Sequence, residues 1–105
     1  NEQIIEELFI ILSKRKKSSC KKSYTSYLIK NPELLAKKVS EESSELIIDF
    51  IKNNKAGVIK ESADLIYHIL VVWISMGVKP EEIWSELTSR MQKSGFEEKK
   101  SRGVK

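Results

Sequence analysis

Ser40-Glu41-Glu42-Ser43-Ser44-Glu45 and Lys60-Glu61-Ser62-Ala63-Asp64 decide how this chain folds. Each contains an acid, two intervening residues and a second acid, Glu42 with Glu45 and Glu61 with Asp64. On a helix such a step stands two carboxylates about one turn apart on one side. Residues 46 to 60 separate the pairs, enough to finish one helix, turn and start an antiparallel partner. Four carboxylates converging between two helices repel strongly unless something cationic sits among them. Hard oxygen ligands suit Mg²⁺, with Mn²⁺ as a substitute. Magnesium points in turn to phosphate chemistry.

Working outward from the pairs, the first belongs to a helix predicted from Asn31 to about Lys52. Asn31 can cap it, Pro32 suits the first helical position, and Glu33 suits the dipole. Asn53-Asn54 breaks it. With Glu42 at 0°, Lys38, Glu45 and Asp49 fall at about 320°, 300° and 340°. Leu35, Val39, Leu46 and Phe50 form an adjoining apolar stripe at about 20° to 80°. The acids therefore border the core, whereas a solvated helix places its charges opposite the apolar stripe. The second pair belongs to a helix from about Lys55 to Met76, stopped by Gly77. With Glu61 at 0°, Asp64 lies at about 300° and His68 at about 340°. Residues 65 to 74 are apolar nearly all round and expect burial on every side, for which a second subunit is the simplest cover.

Flanking helices are expected from Glu2 to Lys16, with Ile4, Ile5, Leu8, Ile11 and Leu12 at helical spacing, and from Pro80 to Gln92. In the latter Ile83, Trp84, Leu87 and Met91 are expected to face inward. Residues 17 to 23 read as a polar loop, followed by a short apolar piece from Tyr24 to Ile29. No strand pattern is visible. The expected architecture is an all-α bundle of four to five helices, its site built on the two central helices. It is a single domain over residues 1 to 105 with a basic, non-periodic tail from 93 to 105.

The 105 residues leave no room for a second domain. Charge is +4 overall but concentrated in Lys14-Arg15-Lys16-Lys17, in Lys21-Lys22 and in the tail. Such runs are often solubilising; the functional reading is attraction of a phosphorylated anion. No aromatic residues interleave with them as stacking platforms would, which argues against nucleic acid as a partner. Cys20, the one cysteine, cannot form an intrachain disulfide, fits a reducing compartment and reads as a bystander thiol. No run reaches the ~20 apolar residues of a membrane span. Asn1-Glu2-Gln3 is no signal peptide, so the cytoplasm is the expected location.

Each candidate has a bland alternative. Glu42, Glu45, Glu61 and Asp64 are metal ligands or surface acids paired with lysines. His68 is a ligand, a phosphate donor or a hydrogen-bonded core histidine. Asp49 is a further ligand or a capping residue. Lys38 holds a phosphate or neutralises the cluster. Trp73 and Trp84 read as core.

Together these residues resemble the metal motif of the all-α MazG-like nucleotide pyrophosphatases. The flanks are similar, within that superfamily, to phosphoribosyl-ATP pyrophosphatase of histidine biosynthesis. Four stretches carry the likeness: Ser23-Tyr24-Thr25, Lys37-Lys38-Val39-Ser40-Glu41-Glu42, Glu61-Ser62-Ala63-Asp64-Leu65-Ile66-Tyr67-His68 and Ser94-Gly95-Phe96-Glu97-Glu98-Lys99. The acidic pairs specify only the superfamily, and the first and last stretches narrow the match. Family members often carry glycine at the position of Ser40, alanine-threonine at Ser43-Ser44 and alanine at Lys100. None of these changes removes a ligand.

The resemblance implies a homodimer that hydrolyses phosphoribosyl-ATP to phosphoribosyl-AMP and pyrophosphate with Mg²⁺. It implies Glu42, Glu45, Glu61 and Asp64 as metal ligands, and Glu41 or Glu42 as acceptor of the attacking water's proton. Lys38 and the basic tail with Lys99 and Arg102 would hold phosphates, and Ser23, Tyr24, Thr25 and His68 would contact substrate. Two alternatives stay open: a house-cleaning pyrophosphatase of ordinary or damaged nucleoside triphosphates, and a non-catalytic basic helical dimer that binds nucleic acid or a partner helix.

Overall fold

A computed structural model describes residues 2–17 and 23–92. Five helices follow in order: α1 (Ile4–Arg15), α2 (Tyr24–Ile29), α3 (Pro32–Ile51), α4 (Lys55–Met76) and α5 (Pro80–Met91). Among the described residues there is no strand. The tail from 93 to 105, with Lys99 and Arg102, lies outside the described residues, as does Cys20.

The frame is the α3–α4 hairpin. Pro32 occupies the first turn of α3, where its missing N–H costs nothing. The turn to α4 is three residues long and closes on Asn53, in the left-handed region at φ 58°. Asn54 then caps α4: Gly57 N–H donates to Asn54 Oδ1 at 3.1 Å. Asn54 also donates from its backbone N–H to Asp49 O at 2.8 Å and from Nδ2 to Asp49 Oδ1 at 3.3 Å. A Cβ on Gly57 would stand 2.5 Å from Asp49 Cγ, so glycine is what lets the two helix ends close. At its far end α4 stops at Gly77, φ 72°, where Val78 N–H returns to Trp73 O at 2.9 Å. Pro80 opens α5, and Glu82 Oε2 accepts from Lys79 N–H at 2.9 Å.

The core is Leu12 from α1, Leu28 from α2, Leu35 from α3, and Leu70, Val71 and Ile74 from α4. Trp73 and Trp84 meet edge to face at 6.3 Å, and Trp84 Nε1–H donates to Glu6 Oε2, which ties α5 to α4 and α1. Both tryptophans are half-buried; Trp73 packs against the core, and Trp84 packs on Trp73.

Several local expectations shift. Residues 24–29 are a helix, capped by Ser23 Oγ, which accepts from Ser26 N–H at 3.2 Å. Asn31 takes the N-cap position of α3, but its side chain makes no capping bond; its Nδ2 donates back to Tyr27 O at 2.7 Å. Ile4, Ile11, Phe50, Leu87 and Met91 are exposed in the single chain. The chain's own helices leave only Ile66 exposed in the apolar run of α4 from 65 to 74. The other exposed apolar residues of the α3–α4 hairpin include Ile47, Ile48, Phe50, Ile51 and Ile59. Among the described residues, no single helix is long and apolar enough to cross a membrane.

Candidate active site

Helix α3 carries Glu42 and Glu45 one turn apart, and α4 brings Glu61 against them. One carboxylate oxygen from each lies within 4.8 Å of the other two. The depths differ: Glu61 is buried, Glu42 half-buried and Glu45 exposed. Glu61 Oε1 accepts from Lys60 Nζ at 3.2 Å. Glu61 Oε2 is buried and accepts from no N–H or hydroxyl of the fold.

Three converging carboxylates cannot all be charged at no cost. Burial pushes the Glu42 carboxyl up to about 7; a proton shared with Glu61 and the charges of Asp64, Glu61 and Glu45 add to the rise. Glu45 is raised chiefly by its hydrogen bond to Glu61. Glu61 is lowered, first by that bond from Glu45 and then by Lys60. One proton is thus partly retained among three acids, with Glu61 as the ionised member.

Asp64 borders this triad without joining it. Its Oδ2 lies 3.6 Å from Lys60 Nζ, half exposed, and its charge bears on Glu42. Lys60 is the cation that the sequence reading passed over. Its spacing of four from Asp64 was the available signal.

Ligands bound to one Mg²⁺ at ~2.1 Å stand up to about 4.2 Å apart. The three oxygens gather within 4.8 Å of one another, somewhat wider than that span, so the side chains would have to draw together by a few tenths of an ångström to share one cation. The two further residues proposed from α3 are divided. Lys38 lies half-buried one turn before Glu42, and its charge reaches the Tyr24 hydroxyl. Asp49 is held in the hairpin turn by Asn54 and is no part of the triad.

A second layer flanks the acids. His68, one turn after Asp64, is buried. Its Nδ1 lies 2.8 Å from Asp64 O, which can only accept, so Nδ1 carries the proton. The other ring nitrogen, Nε2, lies 3.4 Å from the Tyr24 hydroxyl oxygen. Tyr67 stacks on Tyr24 at 6.2 Å with 11° between planes, and its hydroxyl meets Thr25 Oγ1 at 3.0 Å. Of the hydroxyl-bearing triplet, Ser23 and Thr25 are buried and engaged within the fold, and Tyr24 alone is exposed. Its hydroxyl pKa is raised by burial, with the charges of Glu42 and Glu41 adding and that of Lys38 opposing. Glu41 lies half-buried beside Glu42.

A helical hairpin with converging carboxylates and a flanking aromatic layer defines a class, the all-α proteins whose central hairpin carries an acidic cluster. Comparison with known proteins narrows it. The profile of the phosphoribosyl-ATP pyrophosphohydrolase family matches residues 5–91. A phosphoribosyl-ATP pyrophosphatase of Paramagnetospirillum magneticum is 39% identical over 106 aligned residues, covering 100% of this chain and 97% of that protein. One from Clostridium novyi is 37% identical over 105 residues, covering 99% and 96%. One from Azospirillum brasilense is 35% identical over 100 residues, covering 94% and 90%. The chain belongs to the phosphoribosyl-ATP pyrophosphohydrolase family.

Proposed function

We propose that this chain hydrolyses phosphoribosyl-ATP to phosphoribosyl-AMP and pyrophosphate, a step of histidine biosynthesis, with Mg²⁺ held by Glu42, Glu45, Glu61 and Asp64. The observation that carries the reading is the convergence of Glu42, Glu45 and Glu61, with Glu61 buried and its Oε2 accepting from no N–H or hydroxyl of the fold. A bound Mg²⁺ supplies positive charge to phosphate oxygens and acidity to water at the site. The chain's own residues divide the remaining tasks. Glu61, ionised and buried, is the anchor. Glu42, with its carboxyl near 7, or Glu41 beside it, accepts the proton of the attacking water. Lys38, with Lys99 and Arg102 of the basic tail, holds phosphate oxygens left unneutralised. Tyr24 and His68 border the substrate, while Ser23 and Thr25 shape that border. The α–β phosphoanhydride breaks, the water's oxygen joins phosphorus, and its proton passes to the carboxylate.

The same reading includes a homodimer. Ile47, Ile48, Phe50 and Ile51 of α3 are each at least 50% exposed in the single chain, next to Ile59 of α4 at 65%. Contiguous apolar surface of this kind marks an interface. Sedimentation at low micromolar concentration is expected to give a species of twice 12.1 kDa; a folded 12.1 kDa species would remove the dimer.

The test of function is turnover of phosphoribosyl-ATP beside ATP and dUTP, with Mg²⁺ and with chelator. Chelator-sensitive pyrophosphate release, fastest on phosphoribosyl-ATP, is expected. Faster release from ATP or dUTP would move the chain to the house-cleaning pyrophosphatases.

A further inference from the structure

Nothing in the acid triad recognises the organic part of a nucleotide, because carboxylates and a cation address only its phosphates. The described residues offer one aromatic surface beside the triad. The two tryptophans face each other between α4 and α5 and are not available. Tyr24 is different. It is 47% exposed although its hydroxyl is tied inward to His68 Nε2. Tyr67 lies nearly parallel to it, offset at 6.2 Å, and His68 meets both rings edge-on, at 89° and 84°. Tyr67 is fixed in turn by Thr25 Oγ1, and His68 by Asp64 O.

A ring flanked by two others, hydrogen-bonded at its tip and 47% exposed as a residue is suited to serve as a stacking platform. Its side-chain freedom is already lost before any ligand arrives, so binding to it costs little further entropy. It also stands in the right place. Its hydroxyl meets His68 Nε2 at 3.4 Å, and His68 Nδ1 in turn meets the backbone oxygen of Asp64, the acid bordering the triad, at 2.8 Å.

We propose that Tyr24 is the base-stacking residue of the nucleotide site, with His68 and Tyr67 as the positioning residues that hold its ring. The ligand class is a purine nucleotide whose phosphates face the carboxylate triad. The proposal rests on the nucleotide-hydrolase reading above, but it concerns binding of the base and is separable from turnover.

The experiment is calorimetric titration of the full chain, with Mg²⁺ present, by AMP and separately by ribose 5-phosphate. The two probes share a 5-phosphorylated ribose and differ in the base. Tyr24→Leu is expected to weaken AMP by about 5- to 150-fold, the range set by base–aromatic stacking, and to leave ribose 5-phosphate within about threefold. Tyr24→Phe keeps the ring and loses only the hydroxyl, so AMP should stay within about threefold of the unaltered chain. It also keeps the test decisive if Tyr24→Leu fails to fold. Equal weakening of both probes by Tyr24→Leu would make the residue structural and overturn the proposal. So would unchanged AMP affinity, a Tyr24→Phe chain that loses AMP as the leucine does, or no binding of AMP to the unaltered chain. Failure of phosphoribosyl-ATP turnover with this AMP pattern intact would remove the proposed reaction and leave the stacking residue standing.

Discussion

Glu61 and His68 lie seven residues apart on α4, and each is 6% exposed. Their surroundings differ in kind. Around His68 the fold satisfies both ring nitrogens, one on Asp64 O and one on the Tyr24 hydroxyl. Around Glu61 it satisfies one oxygen, with Lys60, and leaves the other without a donor beside two more acids. A buried polar atom lacking a partner costs roughly 1–3 kcal/mol, and more when the group is charged. A fold that meets this requirement at residue 68 has the means to meet it at 61. The oxygen without a partner is where the proposed cation would complete the structure, and the completed histidine marks where the chain braces itself.

The sharpest way to break this contrast is Glu61→Gln. The amide keeps the shape, removes the buried charge and can donate to Glu42 or Glu45. Turnover is expected to fall by at least ~100-fold, because charge compensation of the ion and its placement are lost together. The metal-free variant should nevertheless melt at or above the temperature of the unaltered chain. A variant with near-normal turnover would place the chemistry elsewhere; one that melts far lower without metal would make Glu61 a structural acid.

Next in size is the response to the ion itself. A ligand bound only by the folded state adds about 2.7 kcal/mol at 100 times its dissociation constant. In a domain this small, that is a rise in Tm on the order of 10 °C. Glu61→Gln should abolish the rise. A smaller effect follows from protons. The Glu42 carboxyl stands at about 7 in the fold against an ordinary 4.5, so the folded state binds the proton more tightly than the unfolded one. Its stabilising protonation is complete below about 4.5 and is lost as pH rises towards 7. Glu45 is raised and acts in the same direction. Glu61 is lowered, so its contribution is present above its ordinary range and is lost only at more acid pH. Melts in chelator should therefore show Tm falling between pH 5 and pH 7. With saturating Mg²⁺, which competes with the proton, the slope should flatten or reverse. A metal-free Tm that climbs across the window would mean that the acids do not share a proton.

The acid face was legible in the sequence because a spacing of three on a helix is geometry, and the two helices carry clear boundary signals, Pro32 at the start of α3 and Gly77 at the end of α4. The separation of Asp49 from Glu42 and Glu45 was not. All three share a face by periodicity, yet Asp49 is claimed by a turn whose closure depends on Asn53 at positive φ and on the missing side chain of Gly57. The helicity of Tyr24–Ile29 was hidden for a related reason. Six residues with two tyrosines and a threonine have weak helical preference, and the helix stands on contacts to residues 67 and 68, more than forty positions away. Leu87, Met91 and Phe50 show the remaining limit. Periodicity finds an apolar face, but whether the same chain covers it is a property of the assembled fold.

The smallest test works on the satisfied end of α4. Tyr67→Phe keeps the ring that backs Tyr24 and removes only the hydroxyl that meets Thr25 Oγ1 at 3.0 Å. Thr25 is 1% exposed, so water does not readily replace that partner. The loss should cost about 1 kcal/mol, the usual net worth of such a bond, and lower Tm by about 5 °C. Neither the carboxylates nor Lys60 is touched, so the Mg²⁺-induced rise in Tm should keep its full size. That pairing of results is what separates the two ends of the helix: a deduction from baseline stability at the braced end, with no change in ligand response at the open one. A Tyr67→Phe chain that also lost its response to Mg²⁺ would show that the hydroxyl pair helps hold α4 in register with Glu42 and Glu45, so that the brace and the cation site are one cooperative unit. An unchanged baseline Tm would mean that the Thr25–Tyr67 contact contributes nothing measurable and that the packing of the rings alone fixes α2 on α4.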